Sequence, residues 1–147
     1  MSYTERFTEV HYPLDSDYSD SFAIGHFTSD YVSLANYHRA VVVINVGDIA
    51  AGGAFDAYLL QATTTAGASA KAITGKAITQ LVQADGDSDA ILAIELQTEE
   101  LDVTNLFDCI ALYFICTSAA VELSYVIYGI EPRFPPTGTT NWTEVVT

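Results

Sequence analysis

The residues of this chain best suited to chemistry are three histidines, two cysteines and one aspartate-rich stretch. His11, His26 and His38 fall in separate segments, and no HxxxH, HExxH, CxxC, GxSxG, P-loop or GxGxxG spacing occurs. Metal, nucleophilic and phosphate-cradling chemistry all depend on such spacings, so no catalytic, cofactor-binding or metal-ligating residue is assigned. The stretch "DGDSD", Asp85 to Asp89, opens like a calcium loop with carboxylates at i, i+2 and i+4. It then carries Ala90 where the loop needs glycine and Leu96 where it needs a bidentate glutamate. A solvated hairpin loop is expected there, weak calcium binding being the lesser alternative, with little response to calcium. Cys109 and Cys116 share one strand-like run, and seven positions at about 3.3 Å each place them on opposite faces, too far apart for a disulfide. They read as reduced cysteines packed as small hydrophobes. "NWT" at 141–143 has the form of a glycosylation acceptor but reads as chance, because the polar, acidic start of the chain is expected not to be a secretion signal.

The elements that would position these residues are strands. Apolar runs at 40–46, 54–62, 77–83, 90–96, 107–117 and 120–130 alternate with breaks rich in Gly, Asp, Ser and Thr, the pattern of an all-β protein. No long stretch repeats apolar residues at helical spacing; "TEELDVTN" alone suggests a single turn, capped by Thr98. The reading is one antiparallel β-sandwich over residues 31–130. Residues 1–30 form an N-terminal arm or edge strands, and 131–147 an extended C-terminal arm in which Pro132, Pro135 and Pro136 forbid a central strand.

The middle of the chain, "ATTTAGASAKAITGKAITQL", changes abruptly to small residues. Residues 62–72 read as a long connection whose lack of bulk lets it lie close to a neighbour. The repeat of "KAIT" at 71–74 and 76–79 has an odd offset, so Ile73 and Ile78 can share a face only if a bulge or bend at Gly75 shifts the phase.

Charge narrows the class of function. Nineteen carboxylates against five basic residues give a formal charge of −14, which repels polyanions and excludes direct nucleic-acid binding. The carboxylates are scattered through apolar strands, so the chain does not read as a nucleic-acid mimic either. No apolar run approaches the roughly 20 residues of a membrane-spanning helix, and no membrane partner is expected.

The last two strands carry more apolar surface than a two-layer sandwich can cover. Tyr113 and Ile115 in one, and Tyr128 and Ile130 in the other, lie opposite the faces expected to form the core. With Phe134 and Trp142 of the arm they are the expected contacts to another subunit. Trp142 and the nine tyrosines could also stack on sugars, although strand positions make packing the simpler use.

Three segments together, "SDYVSLANYHRAVVVINVG", "LLQATTTAGASAKAITGKAITQL" and "AIELQTEELDVTNLF", resemble small proteins encoded among the head genes of tailed bacteriophages and prophages, across roughly residues 29–130. The matching motifs are Tyr31-Val32-Ser33-Leu34 with Asn36-Tyr37, Gln61-Ala62-Thr63 before the small-residue loop, and Glu99-Glu100-Leu101-Asp102-Val103. The resemblance implies a jelly-roll-like sandwich serving as a head decoration (cement) protein on the outer capsid surface. Its implied partners are the major capsid protein and itself, as a homo-oligomer with a trimer favoured, and its implied place of synthesis is the host cytoplasm. The alternative on the same scaffold is a carbohydrate- or receptor-binding module of a virion.

Overall fold

The computed structural model describes residues 6–134 and 141–146. Among the described residues ten strands form two antiparallel sheets: β1 His11–Phe22, β2 Gly25–Thr28, β3 Val32–Ser33, β4 Tyr37–Ile49, β5 Ala54–Ala62, β6 Lys71–Ala77, β7 Leu81–Val82, β8 Ala90–Gln97, β9 Cys109–Thr117 and β10 Val121–Pro132. One sheet has the order β1-β10-β4-β8, and the other β2-β9-β5-β6, with β3 pairing on β9 and β7 on β5. After the β5–β6 hairpin and its short extension β7, the chain changes sheets at each successive long strand, and the first and last long strands lie side by side. This order, four strands against four, is that of a jelly roll.

Period-2 alternation builds the core. Val42, Ile44 and Val46 of β4 and Leu123, Tyr125 and Ile127 of β10 face Phe55 and Leu59 of β5 and Ile110, Leu112 and Phe114 of β9, all buried. Phe114 is its aromatic centre, with Phe22, Phe27, Phe55 and Tyr125 rings around it at 5.0–6.2 Å.

The expected bulge at Gly75 is present. Tyr58 pairs with Ala77 but Leu60 with Ala72, so β6 has three more residues than β5 over this stretch, and Gly75 takes φ +79° within it. The phase shift lets Ile73 enter the core and Ile78 pack against it. The small-residue connection also lies close to a neighbour: at Gly67, φ +77°, a Cβ would stand 2.7 Å from the Tyr31 ring.

Several boundaries differ from the sequence reading. The strand expected at 77–83 lies earlier, at Lys71–Ala77, because the bulge allows a run interrupted by Gly75 to pair; only Leu81–Val82 of the expected segment is strand. Of the two alternatives for the N-terminal segment, residues 11–28 take edge strands, with β1 paired along β10 and β2 along β9. A single helical turn, Phe7–Val10, precedes them. "TEELDVTN" makes two 3₁₀ turns, Thr98–Glu100 and Val103–Asn105. The first is closed by Gln97 N donating to Glu100 Oε2 at 2.8 Å, while the hydroxyl of Thr98, the expected cap, donates to the His38 carbonyl. β10 continues to Pro132, so the arm begins two residues later than expected. Residues 1–5 of the N-terminal segment, and Pro135, Pro136 and Thr147 of the arm, lie outside the described residues.

Candidate interaction surfaces

The six residues expected to form one interface fall in three places. Tyr113 and Ile115 point outward from the β2-β9-β5-β6 sheet, Tyr128 and Ile130 outward from the opposite sheet, and Phe134 stands 71% exposed at one end of the sandwich. Trp142 folds back on its own subunit.

On the first face the register brings Tyr58 opposite Tyr113 and Asp56 opposite Ile115. The two tyrosine rings lie 4.9 Å apart at 36°. His26 Nδ1 is 2.8 Å from the Tyr113 hydroxyl, which fixes that ring from its other side. Leu60 and Ala111 continue the face toward the end of β9. Burial pushes the Tyr58 hydroxyl above its ordinary pKa, with Tyr113 and Asp56 adding to the effect. The surface is a half-buried aromatic platform with one carboxylate and one imidazole at its margins.

On the second face an aromatic group covers the outer side of β10. Phe7 stacks on His11 at 4.0 Å and meets Tyr128 edge-on at 5.9 Å, and Trp142 lies 6.0 Å from Tyr128. Two side chains of the arm also satisfy backbone on edge strand β1: Trp142 Nε1 donates to the His11 carbonyl at 3.2 Å, and Asn141 Nδ2 to that of Pro13 at 2.8 Å. The arm therefore shields a sheet edge, the part of a sandwich most prone to unwanted pairing. Sequence assigned Trp142 to a contact with another subunit, whereas it docks on its own chain, and nothing local in "TTNWTE" indicates β1.

At one end, the connections 34–36 and 98–108 and the end of β10 enclose a cleft of about 510 Å³. Leu34, Leu101 and Phe107 form its apolar part, while Arg39 and Arg133 bring positive charge and Glu99, Asp108 and Glu131 negative charge. Val103 and Leu106 beside it are 58% and 79% exposed. Arg133 Nη2 donates to Thr98 Oγ1 at 3.3 Å, and Arg39 Nε lies 3.3 Å from Glu131 Oε2.

The residues considered for chemistry are dispersed. His11 belongs to the aromatic group, His26 to the first face and His38 to the end cleft. The aspartate-rich segment is not the hairpin loop expected, because it joins β7 of one sheet to β8 of the other; Asp87 Oδ2 accepts from Val82 N at 2.9 Å and so closes this connection. Both cysteines are buried and unbridged. Burial, with Asp108 adding at Cys109, pushes each thiol up to about 11, so neither is a thiolate near neutrality. Sequence gave no sign of Ser29, whose buried Oγ accepts from Leu112 N at 2.9 Å where the β2–β9 ladder ends.

No family model matches the chain, and no curated protein matches it. Among solved structures it is similar to a chain of the cowpea mosaic virus top component, naturally occurring empty particles, at 13% identity over 90% of this chain and 93% of that one, TM-score 0.44. It is also similar to a chain of broad bean stain virus, at 12% identity over 96% and 98%, TM-score 0.42. Both scores are low, and the fold assignment rests on the strand order itself.

Proposed function

We propose that this chain is a virion structural protein that decorates and stabilises a tailed-phage capsid from the outside, built in the host cytoplasm and binding the major capsid protein as well as copies of itself. One observation carries this reading: both sheets of a single jelly roll present apolar side chains outward, Tyr58, Tyr113 and Ile115 on one and Val41, Tyr128 and Ile130 on the other, where Phe7 and Trp142 cover part of the face. A free-standing sandwich needs only its inner faces apolar, so outward apolar surface on both layers suits a protein covered by neighbours. The acidic balance fits the same role, because −14 on a small domain disfavours the packaged nucleic acid and suits the solvent side of a shell. Its part is structural rather than enzymatic. Mixing purified protein with particles lacking it, then imaging by electron microscopy, tests the reading. Ordered outer density at many symmetry-related positions is expected, and bare particles at saturating protein contradict it.

A second reading is favoured by the aromatic platform. Paired Tyr58 and Tyr113 with Asp56 and His26 at the margin are the residue types that stack on a sugar ring and hydrogen-bond its hydroxyls, as in a glycan- or receptor-binding module. Binding to a glycan array, lost in Tyr113→Ala, would favour this module over decoration.

A further inference from the structure

The five basic residues of the chain all lie at one end of the sandwich. Arg39 and Arg133 flank the end cleft, Lys71 and Lys76 pair with Asp102 and Glu100 beside it, and Arg6 precedes the helical turn leading to His11, which pairs with Ile130. The opposite end carries Asp20, Asp48, Asp85, Asp87, Asp89 and Glu122 with no Lys or Arg. A two-fold contact brings a patch against itself, so it needs both signs of charge or none. Of the two ends, the cleft end meets that condition, whereas the all-acidic end would repel its copy.

The same end supplies a projection and a recess. Leu106 ends the 3₁₀ turn Val103–Asn105 at φ +64°, ψ +28°, a left-handed conformation that strains a leucine and costs a glycine almost nothing. Its side chain is 79% exposed, so the strained conformation displays a leucine to solvent. It stands between Val103 and Phe107 in the segment that lines the cleft, whose apolar floor is Leu34, Leu101 and Phe107.

We propose that two copies of this chain pair through their cleft ends, each placing Leu106 in the other's cleft, with Phe134 closing the rim and Arg133 meeting a carboxylate of the partner copy's rim. The contact is isologous and closes at two copies. It deepens the structural role proposed above and rests on it only in assuming that the chain works in an assembly.

Sedimentation of the native protein at high micromolar concentration tests the pairing, together with Leu106→Gly and, as a control, Ile91→Ser at a 78%-exposed position on β8 far from the cleft. The native protein and the control sediment as dimers. Leu106→Gly raises the dissociation constant about tenfold or more through the lost burial of one leucine per subunit. In dilute, monomeric solution the same variant melts at or above the native temperature, because glycine relieves the backbone. These opposite effects separate a contact residue from one that serves its own fold. A native monomer, a Leu106→Gly dimer as tight as the native one, or a lowered monomer melting temperature overturns the inference. Decorated particles with a Leu106-independent dimer would sink this contact and leave the structural role standing. A Leu106-dependent dimer that never binds particles would do the reverse.

Discussion

Single side chains finish what the strands leave undone, and two make this measurable. The β2–β9 ladder ends at Thr28, and Leu112 N would be an orphan donor but for Ser29 Oγ. Ser29→Ala removes the acceptor and leaves a buried N–H unpaired, so a loss of about 1–3 kcal/mol is expected in denaturant unfolding. Asp15 acts in the opposite sense. Burial raises its pKa, and Asp30 nearby adds to the effect, against the lowering influence of its hydrogen bonds from Ser16, Asp30 and Tyr125. A carboxyl whose folded pKa lies above its unfolded value binds its proton more tightly in the folded state, so its contribution favours folding at acid pH and declines as pH rises from the ordinary carboxylate value through the raised one. Asp15→Asn therefore flattens that decline and raises the melting temperature at neutral pH relative to the native chain. An unchanged pH profile would show that the Asp15 site is not desolvated in solution.

At the scale of elements, alternation and turn chemistry were legible and partners were not. Each run of apolar alternation except 77–83 forms a strand, and the odd offset of the two "KAIT" copies locates the bulge at Gly75. The run at 77–83 misled because the phase shift moves the paired residues to the near side of the glycine, a consequence of β5 being the neighbour. The small-residue loop announced a close approach, yet Tyr31 as the residue approached lies over thirty positions away and leaves no local trace. Gly67→Ala is accordingly expected to destabilise, through a contact of 2.7 Å and a positive φ together. The outward apolar positions of β9 and β10 were legible as a surplus, but alternation cannot say that they belong to opposite sheets, which requires knowing that β9 and β10 lie in different layers. The arm illustrates the same limit. Deleting 134–147 leaves both sheets intact, so a β-rich spectrum and cooperative melting should persist. The midpoint falls modestly as the Tyr128 ring and the His11 and Pro13 carbonyls lose their partners. Outright unfolding of the truncated chain would place the arm in the core.

The whole molecule is a polar object in the electrical sense, with its cations gathered beside one cleft and an end of uncompensated carboxylates opposite. Composition alone shows the sum, −14, and hides this distribution, because the basic residues at 6, 39, 71, 76 and 133 meet only through the fold. A jelly roll that turns apolar residues outward on both sheets and concentrates its mixed charge at one end is suited to being surrounded. The direct test is electron microscopy of particles lacking the protein after incubation with the purified chain. The account predicts saturable, ordered density on the outer surface at many equivalent positions, weakened when Tyr113 and Tyr128 are replaced by serine. Particles that remain bare at saturating protein, or density confined to a single vertex, would contradict it.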